Sequence, residues 1–110
     1  MNVVGHMAVA VHGCPEVSTA FLVGSMLPDL AAMARVRLLP MRAPDEAGAG
    51  DNNAFAAGVA FHHASDAVFH SSGWFTEHNR SLRDALLEAG IEPGAARACA
   101  HAGLEMLLDG

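Results

Sequence analysis

The sequence predicts an all-α fold of about five helices in a single domain spanning residues 1–110. Three observations carry that prediction. No stretch of useful length alternates apolar and polar residues with period two. Apolar residues recur at helical spacing, bounded by Gly, Pro, Ser and Asn. Hydrophobic residues make up 52% of 110 positions at a mean hydropathy of +0.27, enough to fill the interior of one small domain and too much for a disordered chain.

In order, residues 2–11 are almost continuously apolar around His6, a pattern that fits a short buried helix and leaves a strand open. Gly13-Cys14-Pro15 is a break, and Pro15 suits the first turn of a helix running to about Met26. Pro28 disfavours helical geometry at Leu27, so the helix is expected to kink or restart there, leaving Asp29 near a new N-terminus and suited to cap it. Residues 40–53 (PMRAPDEAGAGDNN) read as a loop able to act as a lid or partner contact, with Asp51, Asn52 or Asn53 capping the helix that follows. That central helix covers residues 55–70 and ends at Ser71-Ser72-Gly73, with Phe55, Val59, Phe61, Val68 and Phe69 as apolar neighbours of its polar ridge. Thr76 is expected to cap the next helix and Gly90 to close it, and Pro93 opens a last helix running to Asp109.

Composition narrows the function classes. Twelve acidic residues against six basic ones, all Arg, give a net charge of -6. Nonspecific nucleic-acid binding needs clustered cations and is disfavoured. Residues 21–39 are apolar, but Pro28-Asp29, Arg35 and Arg37 interrupt them, and the N-terminal stretch lacks a basic n-region. A cytoplasmic chain with no membrane segment is expected. Cys14 and Cys99 have neither zinc-ribbon nor disulfide-framework spacing and read as reduced thiols.

Seven histidines are the anomaly. On a helix, His62, Asp66 and His70 follow at i, i+4 and i+8 and share one ridge, with His63 beside them. His101 and Glu105 repeat the i, i+4 relation on the last helix. Imidazoles and carboxylates projecting from several helices are how helical proteins build metal centres. The candidate ligands are His6, Asp29, His62 and Asp66, a mixed nitrogen and oxygen set suited to Mn, Fe, Zn or Mg. The competing reading is ordinary: Asp66 pairs with an Arg, and His12 and His78 are plain surface or core residues.

Asn2-Val-Val-Gly-His6, then Phe21-Leu-Val-Gly-Ser-Met-Leu-Pro-Asp29, then Ala57-Gly-Val-Ala-Phe-His62 with Asp66, resemble the acyl carrier protein phosphodiesterase family in order and spacing. That family sits among the HD-domain-like helical metallohydrolases. The resemblance implies an HD-like all-α fold, a divalent ion (Mn²⁺ first), and hydrolysis of 4′-phosphopantetheine from holo-acyl carrier protein. It makes His6, Asp29, His62 and Asp66 the metal or catalytic positions. Apart from the resemblance, His63, His70 or His101 is expected as the catalytic proton donor to the leaving alkoxide, because imidazole titrates near neutral pH. Departures are visible. His63-Ala64 replaces the basic residues after the motif His, His70 replaces an acidic residue, and His101-Ala-Gly-Leu-Glu105 stands where the family has Asp-x-x-x-Asp-His. Family chains also run longer, so the resemblance implies a short or truncated relative. Two alternatives stand beside that reading: a hydrolase of nucleotides or other small phosphoesters, and a non-catalytic metal-binding or interaction module. A shortened chain of this hydrophobicity is also expected to form a homo-oligomer.

Overall fold

The computed structural model describes residues 2–14, 16–39 and 50–109. It is all-α: α1 (Val3–Gly13), α2 (Thr19–Met33), α3 (Asp51–Ser71), α4 (Gly73–Glu88) and α5 (Pro93–Asp109), with no strand among the described residues. Pro15 and residues 40–49, most of the expected loop and its lid role, lie outside the described residues. The chain divides into two units, Met1–Asp66 and Ala67–Gly110, so α3 contributes its first sixteen residues to one and its last turn to the other.

In the first unit, Asn2 caps α1, its side-chain oxygen accepting from the Val4 and Gly5 amides. The residue that opens the Asn-x-x-x-His pattern therefore starts the helix that carries His6. Helix α2 begins later than the sequence indicated: Ser18 caps it, its Oγ accepting from the Phe21 amide at 3.2 Å. It then runs unbroken through Pro28, so Asp29 is a residue of the helix interior and neither a cap nor the start of a new helix. An interior proline costs about 3 kcal/mol. Gly24 and Ser25 before it and Asp29 after it all engage α3, and that packing overrides the local preference. The helix ends in a Schellman arrangement, Val36 N–H to Ala31 C=O at 2.8 Å and Arg35 N–H to Ala32 C=O at 3.1 Å. Arg35 takes the left-handed position at φ 55° that glycine usually fills.

Two glycines set how closely α2 meets α3. A Cβ on Gly24 would collide with the Phe55 carbonyl, and one on Gly58 with the Phe21 carbonyl and the Ser25 amide. The two backbones touch, with the Phe21 and Phe61 rings packed 5.4 Å apart beside the crossing. Val68, expected beside the polar ridge, is instead 72% exposed.

In the second unit, Ser72 caps α4 by accepting from the Phe75 amide at 3.1 Å. Thr76, the expected cap, instead lies within the helix and donates back to the Ser72 and Gly73 carbonyls. Gly90 closes α4 as predicted, at φ 83°, with Ile91 N–H reaching Leu86 C=O at 3.0 Å. Pro93 is the first residue of α5, and the Glu92 carboxylate accepts from the Ala95 amide. Bonds from the Gly94 and Ala95 amides hold that carboxyl below its ordinary pKa. Buried Ala96, Ala100 and Leu104 recur every four residues along α5, which packs against α4. Leu107 and Leu108 are exposed.

Replacing Gly58 with Ala should destabilise the chain by about 1–3 kcal/mol, the usual cost of overpacking, despite alanine's better helix propensity. Urea denaturation checks this; an unchanged midpoint would mean that the helices separate freely at the crossing.

Candidate metal centre

The first unit brings together all four residues predicted as ligands. Asp29 projects from α2 one turn beyond Ser25, and its carboxylate spans two imidazoles: Oδ2 lies 3.8 Å from His6 Nε2 and Oδ1 lies 3.8 Å from His62 Nε2. Asp66 adds Oδ1 at 3.5 Å from His6 Nε2. His6, Asp29 and His62 each offer a ligand atom, and these atoms all lie within 4.8 Å of one another. The two rings stack with centroids 3.9 Å apart and planes 33° from parallel. His6 is 0% exposed and His62 5%.

The far side of each ring fixes its tautomer. His62 Nδ1 lies 2.9 Å from the Ser25 carbonyl oxygen, which can only accept, so the proton sits on Nδ1. His6 Nδ1 lies 3.0 Å from Ser65 Oγ. That hydroxyl has two backbone carbonyls for its own proton, Phe61 at 2.9 Å and His62 at 3.0 Å, and so accepts from His6. Both rings thus use Nδ1 as the outer donor and turn Nε2 toward the carboxylates. His6, Asp29 and His62 could hold one divalent ion, with Asp66 beside them, and an outer hydrogen bond on each ligating His is how metal sites orient them. The donor set fits a divalent cation of the Mn, Fe or Zn kind.

The other nominated residues are placed differently. His63 is exposed, its ring edge-on to His62 with centroids 5.3 Å apart. His70 and His101 lie in the second unit, where both meet Glu105 Oε1, at 2.9 Å and 3.1 Å. Burial works to raise the Glu105 pKa, but the His70 hydrogen bond and the His101 charge are among the influences that carry it below its ordinary value. His78 is a plain helix-surface residue, bonded to the Trp74 carbonyl at 2.8 Å and stacked on the Trp74 ring. His12 is exposed, and Cys14 and Cys99 are exposed free thiols.

Sequence reasoning missed Ser25 and Ser65, which hold the imidazoles, and the two glycines of the crossing. A signal was present: Ser25 follows Gly24 directly and Ser65 stands three residues after His62. Serine is unremarkable in a helix until the neighbouring helix is in place.

Ser65→Ala removes the acceptor for His6 Nδ1 and should weaken any divalent-metal binding at this cluster roughly 10–100-fold with helix content unchanged. Calorimetric titration reads this, and equal affinity would show that the serine does not orient the ring. For the metal-free chain, the lowered Glu105 pKa sets a direction with pH. Its ionised form stabilises the fold above the ordinary value of 4.5, and that contribution is lost as pH falls through the lower folded-state value. Glu105→Gln should therefore melt below wild type at neutral pH and converge with it in acid, as followed by circular dichroism. A constant difference at every pH would assign the loss to packing. Comparisons with protein-family models, curated proteins and solved structures found no match.

Proposed function

We propose that this chain is a metal-dependent phosphoester hydrolase that holds Mn²⁺ with His6, Asp29, His62 and Asp66. The observation that carries it is the Asp29 carboxylate spanning two buried Nε2 atoms at 3.8 Å each, with both Nδ1 protons already committed elsewhere. A divalent cation there would acidify a water and polarise a phosphoryl oxygen. The chain's own part is to hold both imidazoles in their ligating tautomer and keep the Asp29 carboxylate between them. His63 is the proton donor within this unit, an exposed imidazole beside His62 able to protonate a departing alkoxide. His70 and His101 both engage Glu105 and are left out of this step.

The substrate class follows from the family resemblance, which points to the phosphodiester linking 4′-phosphopantetheine to acyl carrier protein. The net charge of -6 favours a second reading within the same chemistry, a small phosphoester, because an acidic carrier protein would meet like charge on approach. We place the protein in the cytoplasm, where exposed thiols such as Cys14 and Cys99 stay reduced. Among the described residues no helix is long and apolar enough to cross a membrane. Exposed Val4, Met7 and Val11 lie along one face of α1 and support self-association.

Wild type and His62→Ala, each with Mn²⁺, should be assayed for 4′-phosphopantetheine release from holo-acyl carrier protein and for cleavage of bis(p-nitrophenyl) phosphate. Loss of a ligand should lower either activity at least about 100-fold, beyond the effect of an outer hydrogen bond. Cleavage of the small ester alone favours the second reading. Bound metal with neither activity would overturn hydrolysis and leave a non-catalytic metal-binding module.

A further inference from the structure

The second unit holds another converging set. His70 comes from the last turn of α3, and His101 and Glu105 stand one turn apart on α5. Both Nε2 atoms meet Glu105 Oε1, and the three ligand atoms lie within 4.8 Å of one another. The imidazole centroids are 4.7 Å apart with planes tilted 34°. Phe75, 5% exposed, meets both rings edge-on, at 4.8 Å from His70 and 5.2 Å from His101, and Phe69 packs on Phe75 at 4.8 Å.

We propose that His70, His101 and Glu105 form a second divalent-metal site, selective for transition ions of the zinc class. Two imidazole nitrogens and one carboxylate oxygen are the donor set of three-ligand sites that keep a position open for solvent or substrate. Hard ions such as Ca²⁺ and Mg²⁺ want oxygen ligands and are poorly served by two imidazoles. Phe75 limits how far either ring can turn, so the nitrogens stay converged. His101 is 48% exposed, which gives an ion its way in. The His-x-x-x-Glu spacing on α5 puts two ligands on one face, and His70 supplies the third from another helix. This site shares no residue with the His6–Asp29–His62 set and does not depend on that set binding metal.

The test is Co²⁺ titration of the metal-free chain, read by visible absorption and calorimetry, on wild type, Asp29→Asn, and Asp29→Asn combined with His101→Ala, Glu105→Gln or His78→Ala. Asp29→Asn should retain one tightly bound equivalent. Adding His101→Ala or Glu105→Gln should weaken that binding at least about 100-fold with helical circular dichroism unchanged, and adding His78→Ala should leave it intact. The Asp29→Asn background decides the question whatever the first site does. No Co²⁺ uptake by Asp29→Asn would overturn the proposal. So would uptake unaffected by both second-site changes, or an equal loss with His78→Ala, the sign of unspecific histidine binding.

Discussion

Contact between the backbones of α2 and α3 at Gly24 and Gly58 is the constraint on which the first cluster depends. Each glycine lies against the other helix so closely that a single methyl carbon would strike a carbonyl. That approach puts the Ser25 carbonyl within 2.9 Å of His62 and leaves Asp29, four residues further along α2, facing the same imidazole. A side chain at either glycine would push the helices apart, and a ligand set converging within 4.8 Å has little room for that. The glycines in the two sequence patterns, Gly24-x-x-x-x-Asp29 and Gly58-x-x-x-His62-x-x-x-Asp66, are thus spacing devices, each set one turn or slightly more before the ligand it positions.

Burial then turns geometry into chemistry. A histidine on a helix surface, such as His78 on Trp74, costs nothing and asks for nothing. His6 and His62 are withdrawn from water, so every ring nitrogen must find a partner. Ser25 and Ser65 satisfy the Nδ1 side with acceptors, and this choice fixes what the Nε2 side can do. Had a carboxylate taken the Nδ1 proton and a backbone amide faced Nε2, the same residues would make a satisfied core pair with no affinity for a cation. The Ser65 hydroxyl and the Ser25 main-chain carbonyl are therefore as informative about function as the ligands.

Much of this was legible in the sequence. The helices at residues 55–70 and 93–109, the closing Gly90 and the ridge of His62 and Asp66 follow from local periodicity and capping chemistry, which the finished fold leaves intact. Pro28 misled because a local rule met a tertiary exception: packing on both sides of the proline keeps α2 whole, and Asp29 becomes an interior residue. Pro15 and Thr76 misled because Ser18 and Ser72 compete as caps, and an amide three residues on settles the contest. The ridge itself proved divided, His62 and Asp66 serving the first unit and His70 the second, which periodicity along one helix cannot reveal. The role of Ser25 was illegible for a plainer reason: its partner is 37 residues away.

The two ligand sets differ in how their imidazoles are held. In the first, both imidazoles are buried and held by outer hydrogen bonds, with the Asp29 and Asp66 carboxylates, 26% and 30% exposed, beside them. In the second, Glu105 Oε1 lies 2.9 Å from His70 Nε2 in a hydrogen bond and 3.1 Å from His101 Nε2, and solvent reaches His101. A ring fixed by main-chain and hydroxyl acceptors cannot turn without breaking a buried hydrogen bond, so the fold itself positions the first set. The second set is positioned by its own carboxylate and by the Phe75 ring that meets both imidazoles edge-on.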